Sequence, residues 1–263
     1  MSTTRQPTVV RVSFRKQRTD APPGFFEAEA AGLRWLGAVP DGAAVVDVLG
    51  VGPGFVELAQ VPGGPTTAAA ARAFGAALSR THDAPTDAWG APPAGYRGPT
   101  FIGRQPMTCR PTETFGTFYA QQRVLPYLRR AVDARHVDRP ASRLVERVCE
   151  RLTAGDFDDA ETPARIHGDL WTGNLLWGPD GVCLIDPAAH GGHRETDLAM
   201  LALFGAPRLG DILTGYEEAH PLADGWRDRV PLHQLHPLAV HAASHGHSYA
   251  APLTEAARAA LSL

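Results

Sequence analysis

Lysine is almost absent from this sequence. Of the 25 basic residues, Lys16 is the only lysine and the others are arginines. An ammonium group is a compact point charge on a flexible stem, a role that the planar guanidinium of arginine does not fill. The single lysine is therefore a candidate for a function that requires lysine, and chance is the alternative.

Strong net charge and long apolar runs are absent as well. The formal net charge is −3, which argues against nucleic acid or an anionic membrane as a partner. No run approaches the roughly 18 apolar residues that cross a bilayer, and the N-terminus lacks an apolar signal segment. The three cysteines are widely spaced, which argues against a disulfide framework. We expect a cytoplasmic protein.

Several common catalytic motifs are also missing. The chain has no Gly-Lys-Ser/Thr, no Gly-x-Gly-x-x-Gly after a strand and no Gly-x-Ser-x-Gly, which disfavours Walker-type, Rossmann-type and hydrolase sites. His241 and His245 are four residues apart on a predicted helix and could bind zinc, but without a His-Glu-x-x-His pattern we favour packing or surface roles.

Local patterns predict a small α+β lobe followed by a larger helical lobe. The Pro-Gly-Gly-Pro cluster at Pro62–Pro65 marks the predicted boundary, which gives lobes at 1–62 and 63–263. The first lobe is predicted to contain a strand at 9–14 leading to Arg15-Lys16, a helix at 25–36, and strands at 43–48 and 55–61. The second is predicted to contain a helix at 66–83, a loop at 84–111, a helix at 112–135 disturbed by Pro126, a helix at 139–154, a β segment at 164–187, and helices from Glu195 onward.

The β segment carries the chemically informative residues. Gly178-Pro179-Asp180-Gly181 is a turn between two short apolar runs, so the segment should form a β-hairpin. Antiparallel pairing about this turn places Asn174 beside Asp186 at the open end. Asp169 lies five residues before Asn174, in the loop that feeds that end.

Grouped oxygen ligands of this kind suit Mg²⁺, which proteins hold through one or two carboxylates together with substrate phosphates. An Asp-x-x-x-x-Asn loop followed by a further Asp is the arrangement that kinases use. We therefore assign Asp169 as the catalytic base and Asn174 with Asp186 as metal ligands. The alternative is a polar turn with a capped hairpin.

The beginning of the chain gives an independent check. Kinases pair a strand lysine with a glutamate of the next helix, and the pair anchors the ATP phosphates. Lys16 ends a predicted strand, and Glu29 lies in the helix that follows. Helical periodicity favours Glu29 over the competing Glu27, because Glu29 shares a face with Phe26 and Leu33.

These residues resemble the fructosamine (ketosamine) 3-kinase family, whose fold is protein-kinase-like and related to that of aminoglycoside phosphotransferases. The resemblance rests on His-Gly-Asp-Leu-Trp-Thr-Gly-Asn at 167–174, Leu-Ile-Asp-Pro-Ala at 184–188 and Gly-Gly-His-Arg-Glu-Thr-Asp-Leu-Ala-Met at 191–200. It implies phosphorylation of a small-molecule or protein-bound ketosamine at the sugar 3-hydroxyl with ATP and Mg²⁺, in repair of glycated amines.

The resemblance also implies roles for individual residues. It supports the roles given above for Asp169, Asn174, Asp186, Lys16 and Glu29. It places the hinge that meets adenine near Leu58–Val61. Trp171, His193 and Arg194 become candidates for the sugar pocket, whereas Asp197 is expected to brace the catalytic loop.

One feature departs from the family. Members carry a Gly-rich loop before the lysine strand, and Met1–Pro7 contains no glycine. We expect either that the start was assigned too late or that this form binds ATP weakly. Two alternatives to a ketosamine kinase therefore stay open: a truncated, non-catalytic nucleotide-binding protein, and a kinase for another hydroxylated amine such as an aminoglycoside.

Overall fold

The computed structural model describes residues 12–263. The predictions that concern residues 9–11 and the Gly-rich loop before Lys16 lie outside the described residues. Within them, β1 (Ser13–Gln17) pairs antiparallel with β4 (Phe55–Ala59), and β4 pairs antiparallel with β3 (Val48–Gly52). The resulting sheet has the order β1-β4-β3.

The first helix, α1 (Phe25–Gly37), covers one face of this sheet. Phe26 and Leu33 of the helix share a buried cluster with Val56 and Leu58 of β4, as the apolar periodicity of the helix predicts. This packing fixes the helix face that carries Glu29 against the strand that carries Lys16.

The prediction of one strand at 43–48 is wrong, because this run divides between two sheets. Its first part, β2 (Ala44–Val45), pairs in parallel with a strand of the second lobe, β9 (Gly181–Leu184). Its last residue begins β3, which continues to Gly52 in the small sheet. The first 62 residues thus contribute a strand to the sheet that contains the predicted site hairpin, and Pro62–Pro65 remains our proposed lobe boundary.

The rest of the chain is mainly helical. The helices are α2 (Ala68–Asp83), α3 (Phe115–Phe118), α4 (Leu125–Asp133), α5 (Arg139–Ala154), α6 (Arg194–Leu203), α7 (Leu209–Ala219), α8 (Trp226–His245) and α9 (Ala250–Leu261). The remaining strands are β5 (Thr100–Ile102), β6 (Gln105–Met107), β7 (Ala164–Ile166), β8 (Leu175–Gly178) and β10 (His190–Gly192).

Pro126 disturbs the helix at 112–135 as predicted. Between α3 and α4 the chain forms a π-helical segment, Tyr119–Val124, and the Leu125 N–H donates to the Ala120 carbonyl five residues back. A proline lacks the N–H that would continue the α-helical ladder, and a wider turn just before it accommodates that loss.

The predicted loop at 84–111 contains a short hairpin that the sequence reasoning missed. Its strands β5 and β6 have three residues each, too few to show an alternating pattern. The hairpin matters because it forms one wall of the candidate site described below. Among residues 12–263, no helix is both long enough and apolar enough to span a bilayer.

Candidate active site

Lys16 lies between two carboxylates at the junction of the lobes. Its Nζ donates to both carboxylate oxygens of Glu29, at 2.9 and 3.0 Å, and to Asp186 Oδ1 at 2.6 Å. Glu29, and not Glu27, is therefore the partner that the structure brings to the lysine. Burial alone would lower the pKa of Lys16, but the two carboxylates outweigh it and raise the pKa, so the ammonium stays charged.

The hairpin that carries the site residues forms as predicted, but its register differs by one residue. Leu175 of β8 lies opposite Leu184 of β9, so Asn174 faces Ile185, whose N–H donates to the Asn174 carbonyl at 3.2 Å. The predicted pairing of Asn174 with Asp186 is wrong because the turn is centred between Pro179 and Asp180, and equal distances from that centre pair Asn174 with Ile185 and leave Asp186 one residue beyond.

Asp186 reaches the site by leaving the strand. Its backbone has a φ of 55°, a left-handed conformation that costs energy for a residue with a β-carbon. The chain turns there, and the carboxylate contacts Lys16 while its side chain keeps 41% exposure. This strained position leaves carboxylate oxygen accessible from the cleft.

Asp169 and Asn174 are joined directly. Asn174 Nδ2 donates to the Asp169 carbonyl at 2.7 Å and to its Oδ2 at 3.3 Å. Burial raises the pKa of Asp169 to about 7, and the nearby Asp186 and Asp197 carboxylates add to the rise, although the Asn174 hydrogen bond opposes it. A carboxylate with such a pKa can exchange a proton near neutral pH.

Asp197 holds the backbone just before Asp169. Its two carboxylate oxygens accept the N–H groups of His167 at 2.7 Å and Gly168 at 2.9 Å, and Oδ2 also contacts His82 Nε2 at 3.2 Å. Burial opposes ionisation of Asp197, but these hydrogen bonds prevail and lower its pKa. The geometry is that of the predicted brace for the catalytic loop.

Apart from the buried Asp197 and its partners, the polar groups described above open onto a cavity of about 230 Å³ between the lobes. They form its floor, and its walls are formed by the start of α1, the β5–β6 hairpin and Trp171. Leu58 and Val61 do not line it. Leu58 is 3% exposed and packs beneath α1, so its side chain is not free to meet a base.

His193 and Arg194 also lie away from this cavity, which corrects the suggestion that they line it. His193 caps α6 by accepting the Glu195 N–H at 3.1 Å, and its Nε2 contacts Asp159 at 3.2 Å. Arg194 is buried and pairs with Glu161. Both side chains connect the segment before β7 to α6. The sequence alone could not separate this structural role from substrate binding, because polar residues serve in both.

The atoms present fit a magnesium ion at the floor of the cavity. Asp186 offers an accessible carboxylate, and the Nδ2 contacts of Asn174 leave its Oδ1 as the ligand atom. The one cluster of three potential metal ligands in residues 12–263, His193–Glu195–His233, is a poorer candidate. There, Arg229 already binds both oxygens of Glu195. The suggested zinc pair, His241 and His245, stacks ring on ring at 5.1 Å.

Comparison with known proteins agrees with this geometry. The family model described as fructosamine kinase matches residues 5–262. The chain belongs to the fructosamine kinase family. It is 31% identical over 251 residues to a probable ketoamine kinase of Enterococcus faecium, covering 94% of this chain and 87% of the relative. A probable ketoamine kinase of Thermus thermophilus is 32% identical, with 92% and 84% covered.

Solved structures extend the comparison to the fold. A Thermobifida fusca protein named as a fructosamine-3-kinase is 47% identical and superposes with a TM-score of 0.90, over 96% of this chain and 86% of that one. Spectinomycin phosphotransferase, at 12% identity, superposes with a TM-score of 0.56 over 96% of this chain and 88% of that one. This member of the fructosamine kinase family is thus a kinase-like phosphotransferase with the predicted α+β fold, and the predicted resemblance is confirmed.

The lysine position gives a first prediction for this family member. Lys16→Arg keeps a positive charge, but a planar guanidinium cannot contact Glu29 and Asp186 as one compact ammonium does. We expect kcat/KM for ATP to fall about 100-fold, or ~2.7 kcal/mol. Steady-state kinetics at varied ATP measure this. Gln17→Ala, an exposed neighbour on β1, is the control, and a loss below about threefold would contradict the assignment.

Buried histidines of the helical lobe predict acid sensitivity. Burial, together with His193, lowers the pKa of His233 to about 4, and burial, together with Arg123, lowers that of His236 to about 3. Below about pH 6.5 the unfolded chain binds protons at these rings and the folded chain does not, so stability falls as pH falls. Each ring contributes a slope of about 1.4 kcal/mol per pH unit until its folded pKa is reached.

Denaturant unfolding between pH 8 and pH 4.5 measures this slope. His236→Gln should reduce the dependence of the unfolding free energy on pH by about 1.4 kcal/mol per pH unit, the contribution of one proton. The same change at the exposed His247 should leave the slope unchanged. A free energy of unfolding that stays constant from pH 6.5 to 4.5 would contradict the prediction.

Proposed function

We propose that this protein transfers the γ-phosphoryl group of ATP to the 3-hydroxyl of a ketosamine sugar. The observation that carries the proposal is the convergence of Lys16, Glu29, Asp169, Asn174 and Asp186 on one cavity, in a chain of the fructosamine kinase family. The names of its relatives, probable ketoamine kinases, support the class of acceptor.

Asp169 is proposed to act on the acceptor hydroxyl. Its carboxylate lines the cavity, and its raised pKa suits a group that accepts a proton as the hydroxyl attacks. The Asn174 hydrogen bonds and the Asp197 brace hold the loop in place. Positioning and electrostatics supply most of the catalysis in phosphoryl transfer.

Asn174 Oδ1 and the Asp186 carboxylate are proposed to hold Mg²⁺. When bound, the ion neutralises charge that develops on the phosphate oxygens. Lys16 would then turn from Asp186 toward phosphate while Glu29 keeps it in place. The ammonium of Lys16 would need to move little to reach a phosphate bound through the metal at Asp186, because Lys16 and Asp186 are already in contact.

The nucleotide base is proposed to lie along the face of β1 that carries Lys16. Phe14 is two residues before Lys16, so both side chains project from the same face of the strand. Phe14 is 59% exposed, so its ring is available to stack on a base. The adenine contacts near Leu58–Val61 remain a prediction, and burial of the Leu58 side chain leaves only the main-chain groups of that residue for such a contact.

The biological role that follows from this activity is repair of glycated amines or proteins. Phosphorylation of the sugar would destabilise its link to the amine and release the amine, as the family resemblance implies. We propose that this takes place in the cytoplasm.

An acceptor comparison tests the substrate proposal. ADP release should be fast with a fructosyl- or ribulosyl-amine and at least about tenfold slower with kanamycin or choline at matched concentrations. Excess EDTA should stop the reaction. A preference for kanamycin would show an aminoglycoside kinase, and ATP binding without turnover of any acceptor would show a non-catalytic protein.

A further inference from the structure

Five aromatic side chains form a continuous strip that begins at the candidate site. The members of this aromatic strip are Trp171, Phe204, His241, His245 and Tyr249. Ring centroids are 6.1 Å apart from Trp171 to Phe204, 4.8 Å from Phe204 to His241, 5.1 Å from His241 to His245 and 5.0 Å from His241 to Tyr249. Each contact lies within the range of aromatic pairs.

The strip is continuous with the cavity. Trp171, two residues after Asp169, lines the cavity and is 39% exposed. The β5–β6 hairpin lines the opposite side, and at its tip Gln105 donates a hydrogen bond to Ser244 of α8. Ser244 lies between the strip residues His241 and His245. The hairpin tip and the strip therefore flank the same opening.

The cavity is too small to enclose a large acceptor. Its volume of about 230 Å³ is below the roughly 300–1,000 Å³ of pockets that bury a drug-sized ligand. If Asp169 contacts the reacting sugar hydroxyl, the sugar occupies the cavity and the amine part extends outward. The strip begins at that opening, where all five rings are at least partly exposed.

Aromatic rings at such a position favour flat or cationic groups. Ring faces stack on other rings and attract cations held above them. None of the five side chains is a carboxylate that could form an ion pair with an amine. Contacts with the rings are therefore the main source of affinity along the strip.

We propose that the aromatic strip binds the amine part of the acceptor and selects ketosamines whose amine carries an aromatic ring. The proposal rests on the proposed function, because it assumes that a ketosamine sugar fills the cavity. The phenethylamine adduct of fructose should therefore be a better substrate than the propylamine adduct, by about tenfold in KM, which two or three ring contacts would provide.

Kinetics of two variants test the strip. In Phe204→Leu and Tyr249→Leu, KM for fructosyl-phenethylamine should rise about threefold to tenfold, while KM for fructosyl-propylamine, KM for ATP and kcat should stay within about twofold. His247→Ala is the matched control, since His247 lies beside Tyr249, is exposed and is not a strip member. Equal thermal midpoints would show that the variants remain folded.

The affinity of each adduct, measured by calorimetry in the presence of ADP, tests the binding role of the strip separately from the proposed kinase activity. Turnover of both adducts with equal KM, unchanged in the variants, would overturn the strip while leaving the kinase intact. If neither adduct is phosphorylated, the proposed function is wrong, and binding decides the strip by itself. Tighter binding of the phenethylamine adduct that Phe204→Leu abolishes supports it, and equal or absent binding overturns it.

Discussion

Asp169→Asn is expected to lower kcat by roughly 10³-fold while MgATP binds within about twofold of the wild-type affinity. The asparagine keeps the size of the side chain and its place beside Asn174, but its amide cannot accept a proton from the acceptor hydroxyl. The raised pKa of the Asp169 carboxylate suits it to accept that proton, and the substitution removes this capacity. Single-turnover kinetics with a ketosamine and calorimetry with MgATP measure the two effects separately.

The matched control for this variant is Asp180→Asn. Asp180 is an exposed aspartate in the turn of the same hairpin, and the same chemical change there should leave kcat unchanged. If Asp169→Asn retained more than about a tenth of wild-type turnover, the assignment of the base would be wrong.

Asp186→Asn is expected to lower kcat/KM for MgATP by about 10³-fold, because a metal ion that bridges phosphates is worth several kcal/mol. The amide is a weaker ligand than the carboxylate, and it also removes one of the two negative partners of Lys16. The Mg²⁺ concentration for half-maximal rate should therefore rise with the loss of rate.

Titration of the rate with Mg²⁺ in both proteins measures this shift, again with Asp180→Asn as the control. A half-saturating Mg²⁺ concentration that does not change, or full activity of the wild type in excess EDTA, would show that Asp186 does not bind the metal.

The sequence predicted those residues of the site that are brought together by local structure. Asp169, Asn174 and Asp186 lie within 18 residues of one another on one loop and hairpin, so their convergence needs no knowledge of distant packing. The Lys16–Glu29 contact was also predictable, because helical periodicity selects one glutamate of two. The turn was predicted correctly, but the register was wrong by one residue because a hairpin centred between Pro179 and Asp180 pairs Asn174 with Ile185 and not with Asp186.

Other features depend on tertiary contacts that no local pattern reports. The strand at Ala44–Val45 exists because β9 has a free edge beside it. The β5–β6 hairpin lies against α1 through Phe101 and Phe25, whose ring centroids are 5.2 Å apart. His193 and Arg194 are polar residues next to a functional motif, and only their burial and their contacts with Asp159 and Glu161 show that they are structural.

The proposed reaction transfers phosphate from ATP to the 3-hydroxyl of a ketosamine, and the position of the phosphate in the product distinguishes it from other kinase reactions. Wild-type protein would be incubated with MgATP and a fructosyl-amine, and the product analysed by ³¹P–¹H correlation NMR. We predict a phosphorus resonance coupled to the proton on sugar carbon 3, absent with Asp169→Asn. Phosphate on another carbon, or release of inorganic phosphate without a phosphorylated sugar, would contradict the account.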